Sequence, residues 1–181
     1  ASNTDLNPFT PRLLTRHAAF APIAKAIEDS LQVAFRYQKP DGGLSDRLVS
    51  PQRLRQIEGQ WVLLALHEGQ SKNFLLRRIV SEVEILESEA KRLTNAELQQ
   101  VEQELNDFVL GNLATIHVTS DTEAELALSP AEDGIAKLNY MDEALLAEDL
   151  LEFGTDIEVI EPESLKRRMR ASLKAVIKQH A

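Results

Sequence analysis

Six arginines lie between Phe35 and Ile79, in FRYQKPDGGLSDRLVSPQRLRQIEGQWVLLALHEGQSKNFLLRRI, where Arg36, Arg47, Arg53, Arg55, Arg77 and Arg78 are interleaved with apolar, aromatic and turn residues. A guanidinium grips a phosphate or carboxylate through two parallel hydrogen bonds and stacks on flat rings, which an ammonium does less well. On strands, such spacing describes a cationic face that takes an anionic ligand. The plainer reading is a solvated strand face paired locally with Asp46, Glu58 and Glu82. The candidate ligand-binding residues are Arg36, Tyr37, Arg47, Arg53, Arg77 and Arg78. Tyr37 can stack on a base or donate its hydroxyl, or simply pack half-buried on a strand.

Other chemistry finds little support. The four histidines, His17, His67, His117 and His180, are scattered without paired ligand spacing, and the chain has no cysteine. Thiolate nucleophiles, thiolate metal sites and disulfides are therefore excluded. No GxSxG, P-loop or dinucleotide glycine pattern is present. The expectation is a protein that is not an enzyme, with no catalytic residues, no metal and no cofactor. His67, alone beside a turn, reads as solvated. Trp61 and Phe74 sit in apolar runs and read as core, and Ser50 beside Pro51 reads as a turn residue.

These residues need strands to position them. VAFRY is β-branched and aromatic, and PDGG behind it is a turn. DRLVSPQRLRQI carries a proline in mid-run, which places that strand at an edge, in a bulge or in a bend, because proline lacks the donor a central ladder requires. Glu58-Gly59 turns the chain into WVLLALHE, and Glu68-Gly69-Gln70 turns it into a strand KNFLLRR. A last strand, IVSEVEIL, alternates Ile79, Ser81, Val83 and Ile85 with polar residues. Ahead of them, PIAKAIEDSLQ places Ile23, Ile27 and Leu31 on one helical stripe. Residues 1–18 read as an arm, and residues 1–16 are too short to hold a helix-turn-helix.

Beyond the strands, Thr94 and Glu97 form a capping box for a linking helix that ends at Gly111, with Leu98, Val101, Leu105 and Phe108 as its apolar stripe. The remainder interleaves strands (TIHVTS, GIAKLNYM, DIEVIEP) with helices (DTEAELALS, DEALLAEDLLEFG, ESLKRRMRASLKAVIKQ), which predicts a compact α+β layer. The closing helix carries Lys166, Arg167, Arg168, Arg170, Lys174 and Lys178 beside an apolar stripe of Leu165, Met169, Leu173 and Val176.

The net charge of −9 argues against coating nucleic acid, yet Gln32–Ile85 holds eight Lys/Arg against six Asp/Glu, leaving −11 for the rest of the chain. Only the first half can attract an anion. No apolar run reaches the roughly 18 residues that span a bilayer, and the N-terminus has no signal-like segment. A soluble, cytoplasmic protein with no membrane contact is expected.

The ordered motifs resemble the WYL domain family: Arg36-Tyr37, RLVSPQRL from Arg47 to Leu54, WVLLA from Trp61 to Ala65, and FLLRRI from Phe74 to Ile79. LLEFGTDIEVIEPESL, from Leu150 to Leu165, is similar to the WCX-type extension that follows that domain. The resemblance implies a small Sm-like or SH3-like antiparallel β-barrel in residues 19–90, a linking helix in 91–112, and a compact ferredoxin-like α+β extension in 113–181. It also implies the sensing and dimerisation region of a bacterial transcriptional regulator. Its ligand would be single-stranded nucleic acid or a nucleotide, and it would reach promoter DNA through a missing N-terminal winged helix-turn-helix. The alternative is a protein-interaction module that regulates a partner nucleic-acid enzyme. The chain departs from the family at Val62, where a tyrosine usually follows the tryptophan, and at Leu75 and Arg77, where arginine and aspartate are usual. Read as one continuous strand, Leu75 and Arg77 would share a face, moving one pocket cation by two residues. The basic closing helix and the acidic linking helix of a partner subunit predict a salt-sensitive homodimer.

Overall fold

The computed structural model describes residues 17–180, with side chains through Lys174. The chain divides into two compact units, with the boundary at Glu104/Leu105 inside a helix.

The first unit opens with α1 (Phe20–Asp29), which buries Ile23 and Ala26. Ser30 then adopts a left-handed conformation (φ 56°), and its N–H satisfies the carbonyls of Ala26 and Ile27. That cap stops the helix, so Leu31, expected on the helical stripe, instead begins β1 (Leu31–Gln38). β2 (Leu44–Ile57), β3 (Gln60–His67), β4 (Gln70–Leu75) and β5 (Glu84–Glu89) complete an antiparallel sheet in the order β4-β3-β2-β1-β5. β2 pairs with β1 through its first half and with β3 through its second, and the register shifts between Pro51 and Arg53. Of the arrangements open to a mid-strand proline, the chain uses the bulge, and it does so on a central strand rather than an edge.

Glu58-Gly59 and Glu68-Gly69 are two-residue turns with positive φ at both positions, the geometry that matches the twist of paired strands. They set β3 between its neighbours. Val62, Leu63, Leu64, Ala65 and Leu66 of that strand are all buried, on both faces. One face joins the core of the unit, where Phe35, Tyr37, Phe74, Leu76 and Ile79 meet the underside of α1.

The stretch after β4 differs from expectation. KNFLLRR does not run on as a strand: Leu76–Arg78 is a 3-10 turn, and the ladder of β5 begins at Glu84 rather than Ile79. Phe74, Leu75, Leu76, Arg78 and Ile79 are all buried, and the 3-10 turn carries the chain out of the β3 ladder while keeping Leu76 and Arg78 inside. Ile79 makes one bridge to Tyr37, and the Val80 N–H reaches the Arg36 carbonyl at 3.0 Å. Leu75 and Arg77 therefore do not share a strand face.

Thr94 accepts the Glu97 N–H at 3.2 Å and donates to the Glu97 carboxylate at 3.0 Å, opening α2 (Asn95–Gly111). Leu98, Leu105 and Val109 are its buried residues, while Phe108, expected on the stripe, is 55% exposed. Spacings of seven and then four hold the buried line, and Phe108 falls beside it.

The second unit contains β6 (Leu113–Val118), α3 (Glu123–Leu128), β7 (Ile135–Asn139), α4 (Glu143–Leu150), β8 (Ile157–Glu161) and α5 (Glu163–His180). Its three strands are antiparallel in the order β7-β6-β8. The side chains of Thr122 and Asp142 accept the N–H groups of Glu125 and Leu145, which fixes the starts of α3 and α4. Gly154, with φ 53°, breaks the short 3-10 segment after α4, and Phe153 packs on the core built from Ile116, Leu150, Leu165 and Met169. On α5, Leu173 is 39% exposed, and the side chains of Val176 and Lys178 lie outside those described. Each unit is thus mixed α+β with an antiparallel sheet. Among the described residues no helix is long and apolar enough to cross a membrane.

Candidate functional site

Register decides which of the candidate residues can act together. β1 and β2 place Phe35 opposite Arg47, Tyr37 opposite Ser45 and Val33 opposite Val49. Directly opposed residues project from the same face, so Arg47 and Ser45 lie on the core side with the two aromatics. Phe35, Tyr37 and Phe74 meet edge to face, with centroids 6.2, 5.5 and 5.2 Å apart. Arg47 caps this cluster, its guanidinium carbon 5.6 Å from the centre of the Phe74 ring, a cation–π arrangement.

Two further contacts orient that guanidinium. Its Nε donates to Ser45 Oγ at 3.0 Å, and its NH1 stands 3.5 Å from His67 Nδ1, the outer limit of a hydrogen bond. An arginine nitrogen has no lone pair to offer, so a bond here requires His67 to accept at Nδ1 and carry its proton on Nε2. Arg47 is half-buried, as is His67. Arg47 is thus backed by a ring, flanked by a hydroxyl and an imidazole, and half-exposed. Such a cation can accept an anion with little loss of side-chain freedom.

The remaining candidates are employed elsewhere. Tyr37 is buried, and its hydroxyl accepts the Leu75 N–H at 3.0 Å, fastening the start of the 3-10 turn. Arg78 is also buried, and its NH1 reaches the carbonyls of Gln38 and Lys39, each at 3.4 Å. Arg77 is half-buried in the same turn. Arg36 points to the opposite face of the sheet, where its Nε meets Asp46 at 3.2 Å.

Arg53 lies beyond the bulge. It stands opposite Leu64, whose side chain projects away from the Phe35–Phe74 core, so Arg53 and Arg55 leave the face that Arg47 occupies. Both close on Glu102 of α2, at 2.9 and 3.0 Å. Burial opposes ionisation of Glu102, but hydrogen bonds from Arg55 and Arg53, with their charges, outweigh it and hold the carboxyl below its ordinary value of 4.5. Arg53 and Arg55 tie sheet to helix.

Sequence reasoning missed the roles of Ser45 and His67. Ser45 is recoverable, since it stands two residues from Arg47 on one strand. His67 is not, because only the register of β3 against β2 brings it to Arg47. Two grooves of about 500 and 570 Å³ flank His17 at the start of α1, and neither is lined by Arg47. Among the described residues no three His, Asp or Glu side chains converge as a metal site. In the second unit, Glu143 accepts from Ser164 at 2.7 Å and from Arg168 at 2.8 Å, bracing α4 against α5. Burial, together with the neighbouring Glu143, pushes the Tyr140 hydroxyl above its usual range.

This sheet-and-helix unit, with its arginine-capped aromatic cluster, matches the WYL domain model over residues 18–85, and the WCX domain model matches residues 82–177, from the end of this unit through the next. The second match alone spans more than half of the chain, and the chain belongs to the family in which a WYL domain is followed by a WCX domain. A solved structure, proteasome accessory factor B/C (PafBC) of Arthrobacter aurescens, is similar with a TM-score of 0.55 and 24% identity, over 84% of this chain and 26% of that one. This chain therefore spans about a quarter of that protein's length. A structure described as a CRISPR Cas-related protein aligns with a TM-score of 0.44 and 14% identity, over 87% of this chain and 51% of the other. No curated protein matches.

Proposed function

We propose that this chain is the ligand-sensing region of a bacterial WYL-family regulator, and that Arg47 is the cation that receives an anionic ligand, a single-stranded nucleic acid or a nucleotide. The observation that carries this reading is the oriented, half-buried guanidinium on Phe74, with Ser45 and His67 at its sides. Of the arginines singled out in the sequence, Arg36 and Arg53 are drawn into ion pairs and Arg78 into backbone carbonyls. Family membership supports a regulatory rather than a catalytic role, exercised in the cytoplasm on promoter DNA through another part of the regulator. The division of β2 between two ladders supports the Sm-like barrel. Residues 19–90, 91–112 and 113–181 are read as barrel, linking helix and extension.

The test is titration of short single-stranded DNA and of nucleotides at several salt concentrations, against the native chain and Arg47→Ala. Binding that weakens as salt rises and is at least about tenfold weaker in the variant is expected. Absence of anion binding at low salt, or full binding by the variant, would remove the assignment. A homodimer is proposed as well, with Arg167, Arg170 and Lys174 exposed on α5 as the basic side. Sedimentation at low and high salt should show association that salt reverses. The second reading, docking of a partner nucleic-acid enzyme, draws on Leu44 and Leu48, which are 57% and 49% exposed on the outer face of β2. On the sensor reading, Leu48→Asp leaves anion binding unchanged.

A further inference from the structure

The bulge of β2 leaves Gln52 without a partner in the ladder with β3, and the strap that leads from β5 to α2 bonds to its side chain. Gln52 Nε2 donates to the carbonyls of Ser50 at 3.0 Å and Lys91 at 2.6 Å, while its Oε1 accepts the Leu93 N–H at 3.0 Å. Ser50, 3% exposed, accepts the Lys91 N–H at 3.0 Å on its hydroxyl oxygen. Both amide hydrogens of Gln52 are thus committed, and its oxygen holds a third bond. The strap is held by these two side chains in its middle, while at its start the Ala90 N–H reaches the Ser30 carbonyl at 2.8 Å, and Arg92 bonds the Ser30 hydroxyl.

This latch adjoins the Arg47 site. Ser50 pairs with Leu66, the residue before His67, and His67 is what Arg47 NH1 faces. Three residues beyond Lys91, Thr94 opens α2, whose Glu102 is gripped by Arg53 and Arg55 of the same β2. One strand therefore carries the ligand cation, the latch and the helix anchor in succession.

We propose that Gln52 is a positioning residue through which occupancy of the Arg47 site releases the strap and the start of α2. The inference rests on the reading of Arg47 as the ligand cation. An anion that draws the guanidinium from His67 loosens the β2–β3 contact beside Ser50. A bulge is the place where a strand changes alignment without loss of the ladder on either side. Two states follow: the latch shut, as in the structure, and the latch open with the Gln52 amide turned to water. A ligand shifts that equilibrium only by its differential affinity for the two.

The experiment is residue-resolved hydrogen exchange at the Lys91 and Leu93 amides, the two latch donors, with a short oligothymidylate as probe. Saturating probe is expected to speed exchange at both by roughly tenfold, as the opening of a local unit does. Gln52→Ala, with the latch already open, is expected to bind the probe tighter by up to the same factor, because coupling is reciprocal. A residue that only stabilised the fold would not move probe affinity. Ser50→Ala gives a second, independent comparison through Lys91 should Gln52→Ala fail to fold. If the probe binds and exchange at both amides is unchanged or slowed, the inference is overturned and the Arg47 assignment stands. If only a nucleotide binds, it serves as the probe in the same exchange experiment; if neither it nor the oligomer binds at low salt, the assignment of Arg47 fails and the inference falls with it.

Discussion

The two halves of β2 carry the same residue type to opposite ends. Before the bulge, Arg47 rests on an aromatic cluster with part of its surface open. After it, Arg53 and Arg55 turn to the other face and are taken up by Glu102. Composition makes these arginines equivalent, and a single extra residue in the ladder separates a candidate receptor cation from two structural ones. Availability of a cation on a sheet is therefore set by register, since a slip of one residue exchanges the faces.

Deleting Gln52 is the most drastic way to break the contrast. Arg53 then follows Pro51 directly in a regular ladder, the bend of the bulge is lost, and the strap loses the partner of three hydrogen bonds. A loss of about 3 kcal/mol or more in unfolding free energy is expected, measured by chemical denaturation. Replacing Arg47 with alanine should weaken anion binding at least about tenfold and make log affinity fall less steeply with log salt, by about one unit of slope. Arg53→Ala in the same titration should bind within about twofold of the native chain, as expected of independent sites.

Glu102→Gln isolates the structural half. Arg53 and Arg55 are partly exposed, so the pair of ion pairs is worth about 1 kcal/mol rather than the sum of two buried ones. The carboxyl has a folded-state pKa below 4.5. Its stabilisation is therefore fully present above the unfolded value and is lost as pH falls through the lower, folded one. Native protein should lose stability across that acid window, and Glu102→Gln should show a flatter profile there while binding the anion normally. The smallest effect concerns the turns that fix the register of β3. Glu58 and Glu68 occupy positive-φ positions that asparagine tolerates better, so Glu58→Asn should raise stability by about 0.5 kcal/mol, read as a shift of the denaturation midpoint.

Much of the architecture is legible in the sequence because local chemistry encodes it. Glu58-Gly59, Glu68-Gly69 and the Thr94–Glu97 box are short-range signals, and the structure places turns and a helix start at them. The alternation of three strands and three helices in the second unit is likewise readable from periodicity. What is not legible depends on pairing. Ile79, Ser81, Val83 and Ile85 alternate as a strand would, yet Leu76–Arg78 folds into a 3-10 turn that buries Leu76 and Arg78, and the ladder resumes only at Glu84, so tertiary context overrides the local pattern. Gln52 reads as one more polar strand residue until the shift between Pro51 and Arg53 leaves it unpaired with β3 and its amide bonds the strap instead. His67 gains a partner only when β3 lies against β2.

The burial of the middle of β3 has a consequence for how the chain reaches its native state. Val62–Leu66 is an unbroken apolar stretch without charge, proline or glycine, the kind of segment that self-associates when exposed. Its partners, however, lie immediately before and after it, each joined by a two-residue turn. Pairing over such short loops needs little closure entropy and forms early. The adhesive strand is thus shielded on both sides by its own neighbours during folding, before any distant part of the protein has to arrive.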